Sequence, residues 1–342
     1  MNRFVRAIAR ERLDVPPIWL MRQAGRYQRS YQALRRRHTF EQLCREPHLA
    51  ARVALDSVDQ FDFDAAILFS DLLFPLDALG LPVSYDDGGP KLARRLDAAR
   101  LPKLRDVDQA AARLAFQAEA TALTRFELSP SKGLVGFIGG PWTLFVYAVE
   151  GTHAGSLVAA KTSMPLYRQF ARILVPLLER AARAQLEAGA DMVMVFDTAA
   201  GELAPADFRR LLAPDLRRLS AALPGRLGYF ARGIQAAHLG GSASTRDIGD
   251  WLGLGVDWRW DIASVIGTRG RSGFVQGNFD PARLHLTGAA LRRAIGDYLA
   301  PIAALSPARR RGWICGLGHG VLPGTPETSV RDFVRFVRRQ LA

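Results

Sequence analysis

Cysteine is nearly absent from this 342-residue chain. Cys44 and Cys315 lie far apart and lack metal-ligand spacing, which excludes a disulfide framework and a structural zinc site and points to a reducing compartment. Lysine is almost as scarce: of 46 basic residues only four are lysines. A Schiff-base barrel enzyme needs a lysine at the carboxyl end of a strand, whereas Lys91, Lys103, Lys132 and Lys161 fall in loops, in helices or ahead of a strand. No GxxxxGK followed by Ser or Thr is present, and the GLGHG around His319 lacks the GxGxxG spacing of a dinucleotide turn. HExxH is missing, the six histidines are scattered, and no Ser-centred nucleophile elbow occurs. No apolar run approaches the ~18 residues that span a bilayer. The first residues, MNRFVRAIARERLDVPP, are too charged for a signal peptide. These absences point to a soluble, cytoplasmic protein and give metal catalysis little support; no metal and no membrane partner are expected.

What is abundant is arginine. The net charge of +13 favours an anionic partner, whether nucleic acid, a membrane surface or an acidic small molecule. The charge is densest in PPIWLMRQAGRYQRSYQALRRR, from Pro16 to Arg37. If Met21 to Tyr27 turns helically, Arg22 and Arg26 leave one face, and Gly25 lets a ligand approach closely. Arginine presents a fixed charge and a planar fork that matches a carboxylate or phosphate. Arg35 follows within reach, while Arg36 and Arg37 read as solvated surface. Aromatic residues are not interleaved with the arginine runs, which argues against single-stranded nucleic acid.

Short apolar runs alternate with helical patterns. The strand candidates are Asp64 to Ser70, Gly133 to Ile138, Ala190 to Phe196, Arg226 to Phe230, Gly253 to Trp258, Gly273 to Gly277 and Gly312 to Leu317. An eighth is expected between Phe230 and Leu252. Helical patterns cover about Leu104 to Phe126, Met164 to Ala188 with breaks at Pro165 and Pro176, Asp207 to Leu223, Pro281 to Leu305 and Pro326 to Gln340. Strands alternating with helices argue for parallel units and a (β/α)8 TIM-type barrel, with residues 1–342 as a single domain. Barrel sites lie at the carboxyl ends of strands. Asp71, the Gly139 to Tyr147 segment, Asp197, Thr198, Asp257, Asn278 and His319 all fall there. Arginines, an aspartate, a tyrosine and a histidine suit acid chemistry on an anionic substrate.

Six segments carry a resemblance. They are Pro17 to Tyr27 (PIWLMRQAGRY), Phe69 to Asp71, Gly136 to Leu144 (GFIGGPWTL) with Tyr147, Gly255 to Trp258, Gln276 to Pro281, and Gly318 to Gly320 with Thr325 to Glu327. In these, and in their order over nearly the whole chain, the sequence resembles the uroporphyrinogen decarboxylase family. The resemblance implies a distorted (β/α)8 barrel with an N-terminal extension over the active-site face, acting as a cofactor-free homodimer in haem-type tetrapyrrole synthesis. It implies conversion of the four acetate side chains of uroporphyrinogen III to methyls, with release of carbon dioxide.

By the same resemblance Asp71 is catalytic, hydrogen-bonding the pyrrole N–H groups, with Arg22 and Arg26. The substrate-binding set is Arg22, Gln23, Ala24, Gly25, Arg26, Arg35, Asp71, Tyr147, Phe196, Thr198 and His319. Two departures stand out: Gln28-Arg29-Ser30 replaces the usual Leu-Pro-Glu, and Ala199 removes bulk beside Thr198. The superfamily also contains corrinoid-dependent methyltransferases that bind zinc through His and Cys, a pattern Cys44 and Cys315 do not supply.

Overall fold

The computed structural model describes residues 1–86, 89–269 and 273–341. Its strands in chain order are β1 (Ala65–Ile67), β2 (Val83–Asp86), β3 (Gly89–Leu92), β4 (Gly133–Gly139), β5 (Met192–Phe196), β6 (Leu227–Phe230), β7 (Gly253–Gly255), β8 (Phe274–Phe279) and β9 (Trp313–Leu317). Seven of them form one curled parallel sheet in the order β1-β4-β5-β6-β7-β8-β9, with registers such as Ala65 to Gly133 and Gln276 to Ile314. The seven match the seven apolar runs of the sequence. Every residue of β4 and β9 is buried, which is why such strands read as continuous rather than alternating hydrophobic runs. β2 and β3 pair antiparallel in the long connection after β1.

No eighth strand lies between Phe230 and Leu252, where the chain instead makes short 3-10 turns at Ala236–Leu239 and Arg246–Ile248. The eighth wall position is filled from the other end of the sequence. Cys315 N donates to Pro17 O at 2.9 Å and Trp19 N to Cys315 O at 3.1 Å, while Asp64 N donates to Ile18 O at 2.9 Å. On that side Ile18 N also donates to the Asp64 carboxylate at 2.8 Å. The Ile18 to Cys315 bridge is parallel, so residues 17–20 run in the same sense as the sheet they close. Two prolines without N–H groups restrict this segment to a single bridge, and it therefore carries no strand signature in the sequence.

The extension preceding that wall segment does not cover the active-site face. Helix Arg3–Ile8, capped by Asn2, lies across the amino ends of the strands. Asn2 Nδ2 donates to Lys132 O at 3.0 Å, just ahead of β4, and Arg10 Nη1 donates to Gly273 O at 2.7 Å, just ahead of β8. Phe4 is fully buried there against Gly133. Plugging the amino ends with an aromatic side chain buries apolar strand ends that would otherwise meet water. A Cβ on Gly133 would sit 2.4 Å from the Phe4 ring. Gly133→Val is therefore expected to lower stability by about 1–3 kcal/mol through overpacking, read as a lower urea midpoint at unchanged m-value.

The helices follow the expected positions with different breaks. Met164–Glu187 is continuous: Pro165 sits in the first turn, where its missing N–H costs nothing. Pro176 lies mid-helix but is flanked by buried Leu174, Val175, Leu177 and Leu178, whose packing holds the helix together. The 207–223 pattern resolves into a π turn, Phe208–Leu212, followed by Ala213–Ala222. The helix Glu327–Gln340 buries Val330, Phe333, Val334 and Val337 along one stripe and closes the chain against the barrel. No helix among the described residues is long and apolar enough to cross a membrane.

Candidate active site

Closure by residues 17–20 decides where the arginine-rich stretch goes. Because that segment is parallel to β9, the chain leaves it at the carboxyl ends of the strands, the face that carries barrel chemistry. There it does not form the expected helical turn. The chain makes two tight turns, closed by Gln23 N to Leu20 O at 3.1 Å and Gln28 N to Gly25 O at 2.9 Å, and Arg22, inside the first, adopts a left-handed backbone conformation with φ +54°. Arg22 and Arg26 thus project from a strap of turns, both exposed.

Gln23 holds that strap. Its side chain is fully buried, accepting from Leu20 N at 3.3 Å and donating to Ala65 O at 2.9 Å and Ser57 Oγ at 3.3 Å. Its side-chain amide is consumed inside the wall and holds the strap in place. Tyr27 donates its hydroxyl to Gln23 O at 2.7 Å from beneath. Ala24 packs against the core, and Gly25 is open: a Cβ there would meet nothing closer than Arg22 O at 4.0 Å. Arg35 is partly engaged, its Nη1 donating to His38 O at 2.7 Å.

Arg22 enters the mouth from the wall made by residues 17–20. Its stem lies on Gly320, where a Cβ would come 2.4 Å from Arg22 Cδ, so the GHG turn after β9 must be free of side chain at that point. The guanidinium makes no hydrogen bond or ion pair among the described residues, yet its charge acts on Asp71, Tyr147, His153 and His319. Four groups from three connections therefore converge on one unspent cation.

Asp71 follows β1 and is half-buried. Oδ1 accepts from Leu73 N at 2.9 Å and from the Tyr85 hydroxyl at 3.0 Å. Oδ2 has no partner among the described residues. Burial raises the carboxyl pKa above its ordinary value, opposed by the bonds from Leu73 and Tyr85 and by Arg22. Its mirror is Tyr85, whose hydroxyl is pushed up by burial and by the Asp71 charge and stays protonated as a donor.

Tyr147, late in helix Pro141–Glu150, is pushed up to about 12 by burial and the field of Asp71. Its hydroxyl meets His153 Nδ1 at 2.5 Å. Both His153 and His319 are lowered, by burial first and then by Arg22 and Arg232, with His319 falling to about 3. Phe196 packs between Phe137, tilted at 5.8 Å, and Phe230, edge-on at 6.1 Å, and Phe230 meets the His319 ring edge-on at 6.1 Å. Thr198 sits half-exposed at the end of β5.

The neighbouring polar residues are structural. Asp197 is fully buried and caps helix Pro141–Glu150, accepting at Oδ1 from Thr143 N and Thr143 Oγ1, both at 2.7 Å. Its pKa rises to about 6 with burial. Asp257 accepts from Gly233 N and Arg259, and Asn278 Nδ2 donates to Asp257 O and Trp260 O. Sequence reasoning missed three groups at the mouth: Tyr85, His153 and Arg232. Arg232 lies two residues beyond β6 and His153 three beyond helix Pro141–Glu150, so the strand-end rule, applied to arginines and helix exits as well, points to both.

At the opposite, amino-end face a recess of about 550 Å³ is bordered by Arg3, Lys132 and Arg338. These three cations are paired with Asp62 and Asp64, so the recess offers no comparable unspent charge. Among the described residues no group of three or more His, Cys, Asp or Glu is arranged to hold a metal ion. Cys44 and Cys315 are both buried, and burial raises both thiols.

The low His319 value carries a pH signature. An unfolded histidine takes up its proton near 6.5, whereas folded His319 does so only near 3. The unfolded chain therefore binds the extra proton in that window, and stability is lost as pH falls below about 6.5. His319→Asn is expected to show a shallower decline in melting temperature between about pH 6.5 and 4 than the parent; an identical slope would mean the imidazole is not held neutral.

The fold is a parallel α/β barrel of the kind that carries enzymes, and its carboxyl-end mouth sets unspent guanidiniums against a braced carboxylate and two imidazoles. The family model described as uroporphyrinogen decarboxylase (URO-D) matches residues 1–340. The sequence is 39% identical over 353 residues to the uroporphyrinogen decarboxylase of Chloroflexus aurantiacus, covering 98% of this chain and 95% of that one. It is 34% identical to that of Solibacter usitatus, covering 98% and 97%. This chain belongs to the uroporphyrinogen decarboxylase family. Among solved structures, a methyltransferase from Methanosarcina mazei shares the fold with a TM-score of 0.73 at 21% identity, covering 99% of this chain and 98% of that one.

Proposed function

We propose that this enzyme removes carbon dioxide from the four acetate side chains of uroporphyrinogen III, giving coproporphyrinogen III in haem biosynthesis without a cofactor. In each step a proton adds to the pyrrole carbon between the nitrogen and the carbon bearing the acetate, and the ring becomes a cation. The electrons of the bond to the carboxylate flow into that ring as carbon dioxide leaves. The methylene carbon then takes a proton while the ring carbon loses its own, so one proton is consumed and one methyl formed per carboxylate lost.

The observation that carries this reading is Asp71. A carboxylate with one oxygen held by Leu73 N–H and the Tyr85 hydroxyl, and the other unpartnered, is suited to accept pyrrole N–H groups and stabilise the ring cation. The bracing fixes its orientation before the charge develops, so little reorganisation is needed in the transition state. Arg22, with Arg26 and Arg35, binds substrate carboxylates. Tyr147, Thr198 and His319 line the space taken by the acetates and propionates, and Phe196 packs against the macrocycle. Gln23, Ala24 and Gly25 shape the strap that carries the arginines. Arginine is a poor acid, with a pKa above about 12, so its role is charge rather than proton transfer.

The same resemblance makes residues 1–342 one barrel domain acting as a cytoplasmic homodimer on a small molecule, with no nucleic-acid or membrane partner. The continuous sheet and the closure of its wall by residues 17–20 support the single domain. Anaerobic incubation with uroporphyrinogen III, oxidation, and separation of products by carboxylate number tests the activity. A series ending at four carboxylates is expected; unchanged octacarboxylate would refute it.

A further inference from the structure

Going round the barrel from the 17–20 wall segment, the order is β1, β4, β5, β6, β7, β8 and β9. Arg22 leaves the 17–20 segment, and Arg232 follows β6, four positions away in either direction. The two guanidiniums therefore enter the mouth from opposite walls. Arg232 is half-buried and makes no hydrogen bond or ion pair among the described residues. Its loop is fixed from below, since Gly233 N donates to the buried Asp257 carboxylate at 2.7 Å. That brace sets the backbone that aims the side chain and leaves its charge uncommitted.

His153 completes the arrangement. The Tyr147 hydroxyl, pushed up to about 12, is a donor at neutral pH, so His153 Nδ1 accepts its proton at 2.5 Å. A neutral imidazole that accepts at Nδ1 carries its own proton on Nε2 and presents an N–H donor there. Arg232 acts on both His153 and His319, the same two imidazoles on which Arg22 acts. One cation on each side of a shared pair of neutral donors spans the mouth rather than crowding one edge of it.

We infer that Arg232 and the Nε2–H of His153 form a second carboxylate-binding subsite, opposite the Arg22 strap, which takes a carboxylate on the far rim of a polycarboxylate macrocycle. The inference rests on the proposed substrate, whose carboxylates surround a ring. A single arginine strap engages only one edge of such a ligand. Cations on opposite walls hold it across its width and fix its centre over the mouth.

The test compares the parent enzyme with Arg232→Gln, Arg232→Lys and His153→Phe. One probe is anaerobic uroporphyrinogen III turnover; the other is equilibrium binding of oxidised uroporphyrin, a planar octacarboxylate, followed by fluorescence. Loss of one charge-assisted contact is expected to raise KM and the uroporphyrin Kd about tenfold in Arg232→Gln, with kcat within about twofold and the melting temperature unchanged. Arg232→Lys is expected to recover part of the affinity, and His153→Phe to lose less than Arg232→Gln. The slope of log Kd against log salt should become shallower when the charge is removed. Parental affinity and salt slope in Arg232→Gln, or a fall in kcat alone, would overturn the subsite. Absence of turnover by the parent enzyme would instead refute the proposed reaction, while the uroporphyrin comparison would still decide the subsite.

Discussion

Asp71→Asn is expected to fold like the parent and to lose about 10²–10³ in kcat, the scale seen when one preorganised electrostatic group is removed from developing charge. Asparagine has nearly the same shape. Its carbonyl oxygen still accepts from Leu73 N–H and the Tyr85 hydroxyl, so the brace survives. What disappears is the negative charge at Oδ2 and one acceptor, because an amide places donors where the carboxylate had lone pairs. A ring cation would face a neutral group that competes as a donor with the pyrrole N–H groups. KM is expected to change little, since the substrate carboxylates are held elsewhere. Turnover within a few-fold of the parent would remove Asp71 from the chemistry.

Arg22→Ala is expected to lower kcat/KM by about 10–100-fold, the equivalent of about 1.5–3 kcal/mol for a lost hydrogen bond to a charged group. The guanidinium has no protein partner among the described residues, so its removal leaves no buried acceptor stranded and stability should hold. Its loss has a second, spectroscopic consequence. Arg22 stands directly after burial among the causes that hold His319 near 3 and is also one of the causes that lower His153. In Arg22→Ala both imidazoles should titrate at higher pH by NMR, the shift of His319 incomplete because burial and Arg232 remain. Unmoved histidine titrations together with parental kinetics would place Arg22 outside the mouth.

The division between what the sequence reveals and what it hides follows from the range of the forces involved. The seven strands of the sheet are legible because each is buried on both faces and so becomes a continuous apolar run bounded by turn residues. Asp71, Thr198 and His319 are legible because the strand-end rule places them on one face. The eighth wall position is not legible: residues 17–20 include a proline, follow another and make one bridge, and their partners, Cys315 and Asp64, are remote in sequence. For the same reason the strap cannot be read as turns rather than helix. Its geometry is imposed by Gln23 bonding across to Ala65 and by the left-handed backbone at Arg22, neither of which is encoded within the heptapeptide.

The extension was expected over the mouth, but only residues from Arg22 onward reach it, because Phe4 finds its apolar surface at the amino ends against Gly133. Tyr85, His153 and Arg232 illustrate the remaining gap. Each sits on a connection outside the matched motifs, and each is brought to the mouth by closure of the barrel rather than by local pattern. His153 lies six residues from Tyr147, yet their bond depends on the chain reversing at Gly151, where φ is +77°.

The most direct measurement is the number of carbon dioxide molecules released per uroporphyrinogen III by protein dialysed against a strong chelator and supplied with no cofactor. Four are expected, at a rate that added divalent metal ions leave unchanged. No release, or release that returns only when a metal or cofactor is restored, would contradict catalysis by Asp71 and the surrounding arginines alone.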